Sequence, residues 1–280
     1  MTAQLIDGRV IAQNIRANVK EKIAGLQRKP ALAVVMVGEN PASVVYVRNK
    51  IKACKEVGIT SIEFVMPDDT TEAALLEAIK RLNDDNGVDG ILVQLPLPAH
   101  INAKAVLEAI DPDKDVDGFH IFNTGKLFTT GDGFKPCTPA GIIELLKSLD
   151  RPIAGLHAVI LGRSNIVGKP MALLLLQENA TVTITHSHTQ ELARYTRDAD
   201  ILVAAIGRAK FVTADMVKPG AIVIDVGMNR DENGKLCGDV DTDSVKEVAS
   251  WITPVPGGVG PMTIAMLMVN TLTSALTRQA

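Results

Sequence analysis

Apolar positions in this chain fall into two recurring patterns: short continuous runs rich in β-branched residues, and longer stretches at helical spacing. Ala31-Leu-Ala-Val-Val-Met-Val37 is apolar on both faces, as a strand inside a parallel sheet must be. Residues 42–57 then predict a helix, closed by Gly58. Residues 61–66 predict a second strand, 71–85 a second helix, and 89–95 a third strand that Pro96 and Pro98 stop. A further helix is expected over residues 102–110. This βαβ alternation implies a mostly parallel sheet covered by helices.

The rhythm breaks over residues 111–136. The stretch holds Gly118, Gly125, Gly131 and Gly133, two prolines and few apolar pairs, so it reads as a long connection between domains. Residues 139–149 predict a helix, and a second α/β series follows. Its strands are expected at 157–161, 181–185, 201–205 and 221–226, with helices at 169–179 and 190–197. An apolar helix over 261–277 closes the pattern. The fold class is α/β throughout.

Composition narrows the function. A chain of 280 residues can build one large or two modest domains. Its net charge of -3 gives no bulk attraction to nucleic acid, and one Trp, two Tyr and six Phe are too few for base-stacking platforms. No run approaches the ~18 uninterrupted apolar residues of a membrane span. Cys54, Cys137 and Cys237 form neither a disulfide framework nor a zinc spacing, which suits a reducing compartment. The first residues lack the basic and apolar regions of a secretory signal. The expected setting is cytoplasmic, with no nucleic-acid, membrane or metal partner.

Gly162-Arg-Ser-Asn-Ile-Val-Gly-Lys-Pro170 follows a predicted buried strand and precedes a helix. An α/β domain binds phosphate at that place, against backbone N–H groups and the helix dipole. Gly162 permits a tight turn, Gly168 a close helix–strand approach, and Pro170 suits a first helical turn. The spacing is not G-x-G-x-x-G, so a plain helix-start turn is the competing reading. The next strand ends Thr185-His-Ser-His-Thr189 without a carboxylate, and Arg163 stands in the first loop. An NAD site usually places an acid there for the ribose 2′-hydroxyl, so NADP is favoured. His186 and His188 also read as loop histidines; no nearby Cys, Asp or Glu completes a metal set.

Ser43, Tyr46 and Lys50 line one edge of the apolar stripe formed by Val44, Val47, Ile51 and Cys54. A lysine desolvated there becomes a usable proton carrier, and Tyr46 offers a ring face and a hydroxyl. A surface lysine snorkelling beside a half-buried tyrosine is the alternative. Tyr-x-x-x-Lys also marks short-chain dehydrogenases, but there it follows the nucleotide loop; here it precedes it by more than a hundred residues. Val93-Gln-Leu-Pro-Leu-Pro98 closes a parallel strand, where ligands bind. Asp111-Pro-Asp-Lys-Asp-Val-Asp-Gly-Phe119 is either a site edge or a solvated charged turn, and lacks the EF-hand order. Cys137 precedes a helix start but has no visible partner base. Pro254-Val-Pro-Gly-Gly-Val-Gly-Pro261 is a loop that either lets backbone approach a ligand or makes a tight connection.

Taken in order over almost the whole chain, these segments resemble the bifunctional methylenetetrahydrofolate dehydrogenase/cyclohydrolase family. The match includes Tyr46-Val-Arg-Asn-Lys50, Val93-Gln-Leu-Pro-Leu-Pro98, Asp115-Val-Asp-Gly-Phe119, Pro136-Cys-Thr-Pro-Ala-Gly141, the loop from Gly162 to Pro170, and Pro254-Val-Pro-Gly-Gly-Val-Gly-Pro-Met-Thr263. The resemblance implies a homodimer whose subunits hold two α/β domains flanking a cleft. Residues 1–138 plus 262–280 would bind folate, and residues 139–261 would form a Rossmann-like NADP-binding domain. The activities implied are oxidation of 5,10-methylenetetrahydrofolate by NADP⁺ and hydrolysis of the methenyl product to 10-formyltetrahydrofolate.

Carried over by position, Lys50 matches the essential lysine of the hydrolytic step, and Gln94 the glutamine that orients it. Tyr46 would pack on the folate rings, and Asp117 would bind the amino-pyrimidine edge. Ser43 would support the lysine, while Val93 and Leu95, flanking Gln94, would contact the folate substrate. Pro256, Gly257, Gly258, Val259 and Gly260 would line the folate pocket. Gly162, Arg163, Ser164 and Ser187 would hold the NADP phosphates, with Met228 near the nicotinamide. Three positions depart from the family: Ile121 stands where Pro is usual, His188 where a basic residue is common, and Met228 where Ile is common. The competing readings are a dehydrogenase without hydrolase activity or using NAD, and a non-catalytic nucleotide- or folate-binding regulator. The presence of both Lys50 and Gln94 speaks against the first and the last. The acid-free strand end speaks against NAD.

Overall fold

The computed structural model describes residues 2–279. The chain opens with β1 (Gln4–Leu5) and α1 (Gly8–Ala24), then runs β2 (Ala31–Val37), α2 (Pro41–Val57), β3 (Thr60–Met66), α3 (Glu72–Asp84), β4 (Gly90–Val93), α4 (Ala103–Glu108) and α5 (Ile121–Thr129). Next come α6 (Cys137–Lys147), β5 (His157–Leu161), α7 (Gly168–Gln177), β6 (Thr181–Thr185), α8 (Leu192–Thr196) and β7 (Ile201–Ala204). A 3₁₀ turn (Ala214–Met216), β8 (Ile222–Asp225), β9 (Asn229–Arg230), β10 (Leu236–Cys237), α9 (Thr242–Val245), β11 (Trp251–Ile252) and α10 (Val259–Gln279) complete it.

Two compact units result. The first is Gln13–Cys137 with the chain from Ile264 on; the second is Thr138–Thr263 with the residues up to Ala12. Helices α1, α6 and α10 each begin in one unit and continue into the other. The opening residues therefore cluster with the nucleotide-type unit, not with the first as the sequence reading drew them. The reason is sheet pairing: Gln4 and Leu5 add a parallel edge strand beside Trp251 and Ile252.

The first unit holds three parallel strands in the order β3-β2-β4. Every residue of β2 is buried, and alternate residues serve two cores. Ala33, Val35 and Val37 pack with Leu75, Ile79 and Leu82 of α3 and Val106 of α4. Leu32, Val34 and Met36 pack with Val47, Cys54 and Val57 of α2 and with Leu267, Met268 and Leu272 of α10. Since β3 and β4 lie on opposite sides of β2, the order reverses there. A crevice opens beyond the carboxyl ends of β2 and β4, where α/β sheets bind ligands.

Residues 111–136 are not the structureless connection that their glycines suggested. Ile91 N–H bonds to Lys114 O at 2.8 Å, and Ile91 bridges Asp115, so this segment runs beside β4. Lys114 is fully buried and donates to the carbonyls of Leu82, Asn83 and Asp85, closing the end of α3. The Asp115 carboxylate accepts from Phe119 N, His120 N and Asn123 Nδ2, fastening the turn into α5. These charges are structural, and no metal-type cluster occurs among the described residues. Ile121 occupies the first position of α5, a place that takes Pro or an ordinary residue equally well.

The second unit is a six-stranded parallel sheet, β1-β11-β8-β7-β5-β6. The chain goes from β5 out to β6 and returns to β7 on the other side of β5, so its crevice opens between β5 and β7. Helix α10 is long and apolar enough to cross a membrane by length and composition. Here Leu267, Met268 and Leu272 pack in the first unit's core, and Asn270 and Ser274 bond to buried carbonyls of its loops.

Candidate active site

Helix α2 follows β2 and returns along the sheet. Helical side chains lean toward the helix N-terminus, so a long lysine from mid-helix reaches back toward the strand ends. Lys50 does this: it is 7% exposed, and its Nζ donates to Gln94 Oε1 at 3.1 Å. Gln94 is the first residue beyond β4, its backbone N–H held by Val35 O at 2.8 Å. Its Nε2 donates to Leu95 O, which leaves Oε1 as the atom facing the lysine. The peptide between Leu95 and Pro96 is cis. Ser43 is buried on the same helix and Tyr46 half-buried, its hydroxyl pKa raised by burial. Three groups within eight residues of one helix thus share an edge, and one of them, Lys50, meets a fourth brought in by the next βα unit.

Asp117 arrives because residues 114–116 run beside β4, which ends at the same edge of the sheet. Burial raises its carboxyl above the ordinary 3.8; the Lys50 charge opposes that rise, Asp115 adds to it, and the Cys137 thiol opposes it. Cys137, the first residue of α6, is buried, and its thiol is pushed well above 9.0 by burial and by Asp117. It is a buried, neutral thiol beside Asp117.

One contributor had no signal in the sequence. Asn270 of α10 donates from Nδ2 to Val116 O at 2.8 Å and Lys135 O at 3.0 Å, and lies 3.6 Å from Cys137 Sγ. It pins the backbone on which Asp117 stands, from 153 residues further along the chain. A lone asparagine in an apolar helix carries no motif, so only the fold identifies it.

The other candidates lie in the second unit. Gly162 follows β5 at φ +113°, and a Cβ there would collide with the Ala205 carbonyl at the end of β7. Gly168 likewise leaves room for the Gly162 carbonyl, so loop and helix approach closely. Ser164 Oγ accepts from Val167 N and Gly168 N at 3.2 and 3.3 Å, which leaves its hydroxyl hydrogen to donate outward. Arg163 is exposed. Gly162 N bonds to Thr185 O at 3.0 Å, so Arg163 and the His186, Ser187 and His188 turn leave adjoining strand ends. His186 Nδ1 accepts from His188 N at 3.2 Å, ordering that turn, and Ser187 is exposed.

Pro256, Gly257, Gly258, Val259 and Gly260 also belong to this second unit. The bend has a cis peptide before Pro256 and φ +112° at Gly257, with Gly258 N held by Pro254 O at 2.8 Å. Gly8, at the start of α1, lies so close that a Cβ would strike the Gly258 carbonyl. Met228 is 46% exposed, and a Cβ on Gly260 would lie 3.7 Å from its Cε. The predicted residues therefore form two groups. Tyr46, Lys50, Val93, Gln94, Leu95 and Asp117 gather in the first unit. The nucleotide-loop residues, Met228 and the 256–260 bend gather in the second.

Two family models match the chain. The tetrahydrofolate dehydrogenase/cyclohydrolase catalytic domain matches residues 6–117, and the NAD(P)-binding domain of the same family matches residues 136–279. A curated bifunctional protein FolD from Polaromonas sp. is 60% identical over 278 residues, covering 98% of this chain and 99% of that one. Among solved structures, the bifunctional FolD methylenetetrahydrofolate dehydrogenase/cyclohydrolase from Campylobacter jejuni is 50% identical with a TM-score of 0.96, covering 99% of both chains. The methylenetetrahydrofolate dehydrogenase-cyclohydrolase from Trypanosoma brucei, solved with NADP and an inhibitor, is 39% identical with a TM-score of 0.95, covering 100% of both chains.

Proposed function

This chain belongs to the tetrahydrofolate dehydrogenase/cyclohydrolase family, and we propose that it oxidises 5,10-methylenetetrahydrofolate with NADP⁺ and hydrolyses the 5,10-methenyl product to 10-formyltetrahydrofolate. The observation that carries the hydrolytic half, and with it the bifunctional reading, is the Lys50–Gln94 pair at the switch point of the first unit, beside Asp117. A protein serving only as a dehydrogenase or a binding module has no use for a buried lysine oriented by a glutamine.

The nucleotide site fits NADP by its own chemistry. The loop-to-helix turn is made for close backbone approach, the Ser164 hydroxyl has a hydrogen to offer, and Arg163 stands where no carboxylate repels a 2′-phosphate. Bound there, NADP⁺ supplies the hydride acceptor. In our reading Gly162, Arg163, Ser164 and Ser187 hold its phosphates, and Met228 lies along the nicotinamide. Hydride transfer asks no side-chain acid of the protein, only that the donor be held in a near-attack arrangement. Tyr46 supports the folate rings, and the Asp117 carboxylate accepts from the N–H donors of the amino-pyrimidine edge.

For hydrolysis, water adds to the cationic methenyl carbon and loses a proton; the bond to the ring nitrogen then breaks as that nitrogen takes up a proton and the adduct's hydroxyl releases its own to form the formyl C=O, for a net release of one proton. Lys50 Nζ carries the proton between the two, held in place by Gln94 Oε1. Residues from Gln13 to Cys137 and from Ile264 on then form the folate-binding unit, and the second unit binds NADP. A cytoplasmic homodimer completes the reading, and light scattering on the purified protein gives the subunit count.

The test combines purified protein with 5,10-methylenetetrahydrofolate and either NADP⁺ or NAD⁺. Reduced nicotinamide is followed by absorbance, and the methenyl and 10-formyl products are separated after quenching. Reduction with NADP⁺, and passage to the 10-formyl product faster than in buffer, is the expected result. Accumulation of the methenyl product would leave a dehydrogenase alone.

A further inference from the structure

Two buried carboxylates in the second unit take no part in the chemistry above. Asp225, the last residue of β8, is 1% exposed, and Asp239 is fully buried. Among the described residues no lysine or arginine forms an ion pair with either. A buried unpaired carboxylate is costly unless N–H donors surround it, and here they do. Asp239 accepts from the consecutive backbone amides of Ile206, Gly207 and Arg208 at 2.7, 3.0 and 2.8 Å, and from Asn229 Nδ2 at 2.8 Å. Asp225 accepts from Gly227 N at 2.9 Å, Asp239 N at 2.8 Å and Val240 N at 3.0 Å.

The donors identify what is being held. Ile206, Gly207 and Arg208 form the loop after β7, continuous with Ala205, whose carbonyl faces Gly162. Gly227 and Asn229 flank Met228 in the loop after β8. The first loop leaves the carboxyl end of β7, which borders the crevice, and the second that of β8 next to it, both on the side of β5 away from β6. The surroundings are shaped to the pair. A Cβ on Gly238 would collide with the Asp225 carboxylate, and one on Gly227 with that of Asp239. Asp225 seats Asp239, and Asp239 gathers the two loops.

We infer that Asp239, seated by Asp225, is a positioning residue for the nucleotide site, holding the loops around Ala205 and Met228 in their cofactor-binding shape. This rests on the NADP reading above. The clamp lies away from the β6 end where the 2′-phosphate is read, so it serves NADP⁺ and NAD⁺ alike. It takes no part in hydrolysis, which the first unit performs.

Asp239→Asn and Asn229→Ala test it, the second removing one donor to Asp239 while leaving the carboxylate and its three backbone amides in place. Nucleotide binding to the purified variants is titrated by fluorescence with NADP⁺ and NAD⁺. NADP⁺ KM and kcat are measured, and hydrolysis of 5,10-methenyltetrahydrofolate is followed without nucleotide. We expect Asp239→Asn to raise both nucleotide Kd values about tenfold or more and by a common factor, and Asn229→Ala to raise them less but measurably. KM for NADP⁺ should rise with kcat and hydrolysis little changed. Binding within about twofold of wild type in both variants, or hydrolysis lost in step with binding, would overturn the inference. If Asp239→Asn does not fold, Asn229→Ala decides on the same criterion. A wild-type protein that binds neither nucleotide would instead refute the NADP reading, and this inference with it.

Discussion

Replacing Lys50 with methionine separates the two activities. Lys50 is 7% exposed, so its stem is packed, and the unbranched thioether fills nearly the same space. The loss is the Nζ donor to Gln94 Oε1. An orphaned acceptor costs about 1–3 kcal/mol when fully buried, and Gln94 is only half-buried, so water recovers part of that. Destabilisation of about 1 kcal/mol follows, or about 2–4 °C in Tm. Chemistry loses far more, because a positioned proton carrier contributes about 10²–10⁴-fold. Methenyl absorbance should therefore decay at least about 100-fold more slowly than with wild type, while NADP⁺ reduction continues and methenyltetrahydrofolate accumulates. A second signature separates this from general damage. The Lys50 charge opposes the upward shift of Asp117, so its removal pushes that carboxyl higher still. The pH below which folate affinity falls should move upward in Lys50→Met. Hydrolysis within about tenfold of wild type would refute the assignment of Lys50, whatever happened to binding.

Arg163→Ala should weaken NADP⁺ more than NAD⁺ in parallel titrations; equal losses would remove the 2′-phosphate role. Asn270→Leu should leave the Lys135 carbonyl without its donor and Val116 O with only the weak Cys137 thiol. The expected cost is about 1–3 kcal/mol in denaturant melts together with a raised folate KM, and a raised KM absent despite the destabilisation would cut its link to Asp117. Burial raises Asp225 from 3.8 to about 6, so between those pH values the folded state keeps a proton that the unfolded chain has released. This group's contribution therefore falls as pH rises through the window, by up to about 3 kcal/mol, and the stability of Asp225→Asn relative to wild type should improve from pH 4 to 7. A gap that does not change with pH would refute that shift.

Most of the fold was legible because most of it is local. The predicted strands and helices of both series stand within a few residues of their expected bounds, since a buried parallel strand must be apolar on both faces and a covering helix on one. What escaped was the 17-residue helix α1, for which no element was expected, and elements that are polar or short. Helix α5 hid behind four glycines and is fastened by Asp115 and Asn123, whose burial no periodicity announces. Strands β1, β9, β10 and β11 are two residues each, too short to carry a pattern, and β1 draws the opening residues into the second unit.

The candidate site divides the same way. The sequence by itself determined the α/β class, the nucleotide loop, the acid-free strand end and the ordered motifs that mark the family, because each is a run of adjacent residues. It also placed Ser43, Tyr46 and Lys50 on one helical edge, since helix geometry relates them directly. Only the tertiary structure decided that Lys50 meets Gln94, that Asp117 stands at the end of a segment beside β4, that Asn270 holds that segment from the last helix, and that Asp239 gathers two loops of the nucleotide unit. These partners lie tens to more than a hundred residues apart. A hydrogen bond between such residues depends on sheet order and chain reversal, which no local spacing encodes.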